Sequence, residues 1–272
     1  MNLRVGFIGG GNMAEAFISA FVNGEFLLPA QISVSDVLRE RLDYLREEYG
    51  VKAYSTNLQV VAESDVIFLA VKPQVMTAVL EEIADTLSPS QVVVSMAAGY
   101  PLRKIEEVIG DDKKVVRIMP NILVKVRKGI VAYCDNRRLL DEERRYVREL
   151  LSTCSEVVDV DEKLFDAVTA LAGSSPAFVF LILEALSDGG VKLGLPRDVA
   201  LKLATQVLIG SAEMVKSGEH PEVLKDKVTS PAGTTIAGLS ALEENRTRFA
   251  LIKALEEAYR RSKEITEIIE EM

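Results

Sequence analysis

The stretch LRVGFIGGGNMAEAF, Leu3 to Phe17, constrains the fold more than any other part of the chain, because a β-forming apolar run enters three glycines and leaves as a helix former. That order is the first strand–turn–helix step of a dinucleotide-binding α/β sheet. Gly9-Gly10-Gly11-Asn12-Met13-Ala14 has the G-x-G-x-x-A form. Gly9 permits the tight turn, Gly11 lets the backbone approach a pyrophosphate, and Ala14 keeps the helix close to its strand. The helix start then offers unpaired N–H groups to the phosphates. A dinucleotide site is therefore expected over Gly9, Gly10, Gly11, Asn12 and Met13.

The choice of dinucleotide leans slightly to NAD at this level, with NADP still open. VSDVLRER puts Asp36 at the end of the second strand, where a carboxylate accepts the ribose hydroxyls of NAD and repels the extra phosphate of NADP. Ser35, Arg39 and Arg41 pull the other way, and Asp36 is equally suited to capping the next helix. NADPH and NADH both stand as expected cofactors.

From the start to about Val160 the runs LRVGFI, QISVSD, DVIFLAV, QVVVSMA and KVVRIM read as strands, separated by helical spacing such as RERLDYLREEYG. Several are apolar on both faces, which suits a parallel sheet covered on each side. After CSEVVDV no convincing strand follows, and apolar residues recur every three or four positions in KLFDAVTALAG, RDVALKLATQVLIGSAEMVKSG and TRFALIKALEEAYRRSKEITEIIEE. The expected architecture is α/β. A Rossmann-type, doubly wound, mostly parallel sheet over residues 1–160 is followed by an all-α substrate-binding and dimerisation domain over 161–272. PAFVFLILEALSDGG is apolar almost around its circumference. It reads either as the centre of a self-contained bundle or as an interface with a second copy, and so much apolar surface on about 110 residues of helix favours the interface.

Composition removes other classes of partner. Lys plus Arg is 32 against 41 for Asp plus Glu, and the net charge of −9 offers no general attraction to nucleic acid or anionic membrane. Cys134 and Cys154 are too few for a disulfide framework or a zinc site, and MNLRVGFIGG runs into a strand instead of a signal peptide. No apolar run reads as reaching the roughly 18–20 residues of a membrane span. A soluble, cytoplasmic protein without a metal is expected.

Four further stretches, taken with the glycine turn, resemble the pyrroline-5-carboxylate reductases. They are LAVKPQ at Leu69 to Gln74, SMAAG at Ser95 to Gly99, GSSPAFVFLILEALSDGGVKLGLPR at Gly173 to Arg197, and KDKVTSPAGTTIAGLSALEE at Lys225 to Glu244. The resemblance implies an NAD(P)-dependent oxidoreductase acting on a C=N bond, which reduces Δ1-pyrroline-5-carboxylate to L-proline in the last step of proline biosynthesis. It implies self-association through the C-terminal helices. It also implies that Ala70, Val71, Lys72, Pro73, Ala97 and Ala98 line the ribose and nicotinamide, that Ser35 and Asn57 touch the adenosine half, and that Asn121 lies near the nicotinamide. The chain departs from the family at Ile122 and Leu123, where Thr-Pro is usual after MPN, and at Ser175 and Ala232, which replace glycines.

TSPAGTTIAGL, Thr229 to Leu239, interrupts the helical part with hydroxyls, a proline and glycines and almost no charge. It reads as a helix start, with proline in an early turn and Ser or Thr hydroxyls capping exposed N–H groups. Hydrogen bonds to a carboxylate are worth about 1.5–3 kcal/mol each, so two or three such donors hold a small acid without arginine. A plain capping box is the alternative reading of the same residues. The resemblance assigns the substrate carboxylate to Ser230, Gly233, Thr234 and Thr235. It makes Thr235 the catalytic group, its hydroxyl orienting or relaying a proton at the imine nitrogen.

Other residues carry less. His220 in SGEHPEV reads as a solvated loop residue, the two cysteines as small core residues, and KEITEIIEEM as a solvated helix face. Two rival readings remain at this level. One is a β-hydroxyacid dehydrogenase-like enzyme with Lys192 as base; the other is a non-enzymatic nicotinamide-nucleotide sensor.

Overall fold

The computed structural model describes residues 3–271. Among them eight strands form one sheet in the order β3-β2-β1-β4-β5-β6-β7-β8. These are β1 (Val5–Ile8), β2 (Ile32–Ser35), β3 (Lys52–Tyr54), β4 (Val66–Leu69), β5 (Val92–Ser95), β6 (Lys114–Pro120), β7 (Gly129–Asp135) and β8 (Ser155–Asp159). Every neighbouring pair is parallel except β6 with β7. The strand order reverses between β1 and β4, the doubly wound arrangement expected. One strand was not anticipated, β3 with only three residues, and β7 departs from the others in running antiparallel to β6.

The strands are apolar on both faces because helices cover both. Phe7 and Phe68 point to the side of α1 (Asn12–Asn23), α2 (Arg39–Tyr49) and α6 (Asp141–Ser152), where their rings stack at 4.9 Å and Phe17 joins Phe68 at 5.7 Å. Their sequence neighbours Ile8, Ile67 and Leu69 point the opposite way, into a second cluster with α3 (Asn57–Glu63), α4 (Pro73–Ile83) and α5 (Leu102–Ile109). Register puts Ser35, Ile8, Leu69 and Ser95 in one row across the sheet. The turns after β1, β2, β4 and β5 therefore leave the sheet along a single edge, where ligands of open α/β sheets bind.

The chain forms two compact units, Met1–Ser174 with Ala258–Met272, and Ser175–Glu257. The division expected at 160/161 follows the last strand, which ends at Asp159. Compactness carries the first unit further, because Phe165 of α7 (Phe165–Val168) and Ala170 are buried. The first unit also takes the end of the last helix, α12 (Thr247–Glu271), whose Ile269 is buried in the cluster beside α4 and α5.

The second unit contains α8 (Ser175–Lys192), α9 (Arg197–Lys216), α10 (Pro221–Lys227), α11 (Thr234–Glu244) and the start of α12. A Cβ on Gly190 would lie 3.0 Å from the Cβ of Ala200, so α8 and α9 approach through small residues. Few of its residues are buried, whereas Phe180 is 55% and Leu181 65% exposed. Within the helical run Glu162–Lys192 an 18-residue window has a mean hydropathy of 1.6, so by length and composition the run is long and apolar enough to cross a membrane. The expectation that no run reaches that length is corrected here. The expectation broke the segment at Gly173 to Pro176, where a glycine, two serines and a proline interrupt the apolar residues, while the helix continues through them.

Candidate active site

β1 ends in Gly9, whose φ of 95° lies in the left-handed region. A Cβ there would come within 2.9 Å of the backbone of Ala70, so glycine is needed both for the turn and for close packing against the end of β4. Gly9 N–H donates to Ser35 O at 2.8 Å, and Ala70 N–H to Ile8 O at 2.8 Å, which ties the three strand ends together. Gly11 is the N-cap of α1 and brings no side-chain cap. A Cβ on Gly11 would meet nothing within 4 Å. That open side, beside the first N–H groups of a 12-residue helix that carries exposed Asn12 and half-buried Met13, fits a pyrophosphate.

The middle glycine is held from two sides. Gly10 N–H donates to Asp36 Oδ2 at 2.7 Å, and Leu38 N–H donates to Asp36 Oδ1 at 2.8 Å. Arg41 Nε donates to Gly10 O, and its Nη2 donates to Glu15. Glu15 is buried on α1 and also accepts from Tyr49 Oη at 3.1 Å and Lys125 Nζ at 3.4 Å. Burial pushes the Glu15 carboxyl up, but Arg41, Tyr49 and Lys125 outweigh it and hold the group below the usual carboxylate range. Burial and the same carboxylate raise the Tyr49 phenol to about 12. Asp36 braces the turn with both oxygens, and Arg41 ties Gly10 to Glu15. Glu15 was invisible as a site residue because a single acid in a helix's first turn is ordinary. Its signal was its place on the apolar face of α1.

Ser35 and Asn57 do come together: Ser35 Oγ donates to Asn57 Oδ1 at 2.7 Å, and Asn57 Nδ2 donates to Glu82 Oε2 at 2.7 Å. Val71 follows Ala70, Lys72 is the N-cap of α4 and Pro73 its first residue, the position where a missing N–H costs nothing. Ala97, buried, and Ala98, half-buried, follow β5 on the same edge. Asn121 is 5% exposed; its Nδ2 donates to Ala172 O at 3.1 Å, and its Oδ1 accepts from Ile130 N–H at 3.4 Å. Its side-chain amide therefore clasps segments of the first unit together.

In the second unit α11 begins at Thr234, with Gly233 as an N-cap that supplies no side chain. The expected hydroxyl caps are not made. Gly233 N–H closes a turn onto Ser230 O at 3.1 Å, and Thr229 Oγ1 donates back to Lys225 O at 2.6 Å. Ser230 and Thr234 are exposed, Gly233 and Thr235 half-buried. The first N–H groups of α11 thus have neither an intrahelical acceptor nor a side-chain cap. Within the turn, Pro231 precedes Ala232, whose φ of 56° is left-handed. Position i+2 of such a proline turn favours glycine, and an L-residue there costs about 1–2 kcal/mol. Ala232→Gly is expected to stabilise the protein by about 0.5–1 kcal/mol after the added chain entropy of glycine, read as a rise in the urea midpoint at unchanged slope.

The remaining candidates are structural. His220 caps α10, its Nδ1 accepting from Glu222 N–H at 3.4 Å. Burial raises the thiols of Cys134 to about 12 and Cys154 to about 11, too high for nucleophiles.

Comparison with known proteins matches residues 162–265 to the pyrroline-5-carboxylate reductase dimerisation family, and residues 4–99 to a family described as NADP oxidoreductase, coenzyme F420-dependent. Pyrroline-5-carboxylate reductases of Arabidopsis thaliana and of a Synechocystis strain are each 42% identical, covering 98% and 97% of this chain and 96% and 99% of theirs. The chain belongs to the pyrroline-5-carboxylate reductase family. The crystal structure of Plasmodium falciparum pyrroline carboxylate reductase with NADP bound superposes with a TM-score of 0.89 at 32% identity, over 97% of this chain and 98% of that one. A pyrroline-5-carboxylate reductase is an NAD(P)-dependent oxidoreductase, and family membership sets aside both rival readings. Lys192, the base of the hydroxyacid alternative, is an exposed residue at the end of α8.

Proposed function

We propose that this chain reduces Δ1-pyrroline-5-carboxylate to L-proline, with residues 1–160 holding the nicotinamide cofactor and residues 161–272 holding the substrate and a second copy. The observation that carries this reading is the uncapped start of α11, which carries Thr234 and Thr235 in a chain of this family. Bound NADPH or NADH supplies the hydride. The glycine turn, with Gly9, Gly10, Gly11, Asn12 and Met13, seats the pyrophosphate. Ser35 and Asn57 support the adenosine half, and Ala70, Val71, Lys72, Pro73, Ala97, Ala98 and the backbone of Asn121 fix the nicotinamide half. With Asp36 committed to the turn, and the Arg39 side chain 93% exposed beside it, NADPH is the donor this corner favours. The N–H groups of Thr234 and Thr235, with the hydroxyl of Ser230 and the turn at Gly233, bind the substrate carboxylate. The Thr235 hydroxyl orients the imine nitrogen. Holding the reactants at near-attack distance supplies most of the rate.

The test mixes purified protein with NADPH and Δ1-pyrroline-5-carboxylate, and separately with 3-hydroxy acids and oxidised cofactor, and follows nicotinamide absorbance. Imine-dependent loss is expected. Hydroxyacid-dependent gain, or silence in both, would sink the reading.

The same proposal makes the protein a cytoplasmic homodimer. The exposed apolar rows of α8 and α9, including Phe180, Leu181 and Val207, are those a second copy covers. Phe180→Glu places a charge in that surface and is expected to shift the mass found by light scattering from a multiple of 29.8 kDa to the single chain.

A further inference from the structure

The acidic C-terminal run has the solvated face expected of it, with Lys263, Glu267, Glu270 and Glu271 exposed, and a second, packed face opposite. Ser262, Ile265, Thr266 and Ile269 recur at i, i+3, i+4 and i+7 on α12, and Ser262 and Ile269 are buried. What they rest on is the turn that leaves β5. Gly99 has a φ of 73°, and a Cβ added there would lie 3.0 Å from Ile265 Cγ2, 3.1 Å from Ile269 Cδ1 and 3.2 Å from the Thr266 backbone nitrogen. The helix has no slack against this turn, because one of the three atoms is main chain. Two polar clasps hold the helix in place. Asp166 Oδ1 accepts from Ser262 Oγ at 2.7 Å and from Thr266 Oγ1 at 3.0 Å, and Lys104 Nζ donates to Ile269 O. The other side of the turn is fixed by Tyr100, buried, whose hydroxyl pairs with Thr77 of α4 at 2.9 Å.

We propose that the final turns of α12, Ser262 to Ile269, are a positioning element that sets the backbone of the 96–99 turn, and through it the seat of the cofactor at the carboxyl end of β5. The inference rests on the nicotinamide-binding part of the proposed function. Among the described residues the turn's own amide bonds are few, Met96 N–H to Leu69 O at 3.2 Å and Ala97 N–H to Ser95 Oγ at 3.4 Å. In this proposal its conformation depends on what packs behind it. A pre-set turn gives a ligand a rigid surface without an ordering cost at binding. Ile269 acts through Gly99, and touches neither cofactor nor substrate in this proposal.

Ile269→Ala, with the milder Ile269→Val as a second variant that preserves the fold, tests this on the full chain. Hydrogen exchange of the 96–100 amides in cofactor-free protein is expected to accelerate in Ile269→Ala, while the β1 and β4 amides stay as in the parent. NADPH is expected to bind about tenfold more weakly, with KM for Δ1-pyrroline-5-carboxylate at saturating NADPH within about twofold. Ile269→Val should fall between parent and Ile269→Ala in both readouts. A purely structural role would instead lower the melting temperature and speed exchange throughout the unit. Unchanged exchange at 96–100 in either folded variant overturns the buttress, and faster exchange with an unchanged NADPH dissociation constant overturns its role in cofactor positioning. Failure of the parent itself to bind NADPH would count against the proposed function instead, and the exchange comparison would still decide the buttress.

Discussion

Glu162→Ala is expected to lose about 3 kcal/mol of stability, the low end of the range of about 3–5 kcal/mol for orphaning one partner of a buried ion pair. Arg117 lies on β6, 5% exposed, in a position where its neighbours Val115 and Val116 are apolar and fully buried. Its Nη1 donates to Glu162 Oε1 at 2.7 Å, its guanidinium lies 4.7 Å from the Phe165 ring, and its Nε has no partner. The same Glu162 oxygen accepts from Leu102 N–H at 2.7 Å, at the start of α5. Removing the carboxylate leaves a charge buried without an anion and a helix start without an acceptor. The low end applies because the Glu162 side chain is 31% exposed, so water enters more easily than in a sealed site. For a protein of this size about 3 kcal/mol corresponds to a fall of roughly 6–12 °C in Tm. Glu162→Gln keeps an acceptor and should lose less. Arg117→Met removes the buried charge and its unpartnered N–H together, and is expected to lose about 1 kcal/mol or less. Thermal unfolding at one protein concentration measures all three; an Arg117→Met variant less stable than Glu162→Ala would show that the charge itself, and not its pairing, holds this corner.

That ion pair also marks where sequence reasoning stops. An arginine inside KVVRIM is a local conflict, a long cation in a run of core residues, and such conflicts signal a specific partner. The partner sits 45 residues further on, and no spacing rule points to it. The sheet was legible because β1, β4 and β5 carry apolar residues at consecutive positions, which only a two-sided cover explains. β3 was not legible, because three residues of strand present no period. The glycine turn was legible in kind and in position. The bracing by Asp36 was not, since nothing in the spacing of a carboxylate after β2 points it at the N–H groups of Gly10 and Leu38. At the C-terminus net acidity obscured an i, i+3, i+4, i+7 row that periodicity could have found. At α11 the start was legible, but its cap was misplaced: Ser and Thr suggested side-chain caps, whereas Gly233 leaves the helix start uncapped.

The uncapped start sets up the second large effect. Thr235→Ala is expected to lower kcat about 10²-fold, the usual cost of one lost hydrogen bond at a reacting centre, while NADPH affinity stays at the parent value. Neither Thr234 nor Thr235 engages its hydroxyl with another described residue, so removing one leaves no internal group unsatisfied and the fold should survive. The carboxylate-binding donors in this reading are main-chain N–H groups, which the substitution leaves in place, so KM should change only a few-fold. A threonine hydroxyl is too weak an acid to protonate the imine outright. The imine arrives as the iminium, whose charge vanishes when hydride reaches the adjacent carbon, and a site without fixed charge does not oppose that loss. The hydroxyl then fixes the direction of the nitrogen and, with it, the angle at which the carbon faces the donor. Thr235→Ser keeps the hydroxyl and should retain most of the turnover, while Thr234→Ala should raise KM more than it lowers kcat. Steady-state kinetics at saturating NADPH resolves the split, and equal turnover in Thr235→Ala and the parent would remove Thr235 from the chemistry and leave α11 as a carboxylate site alone.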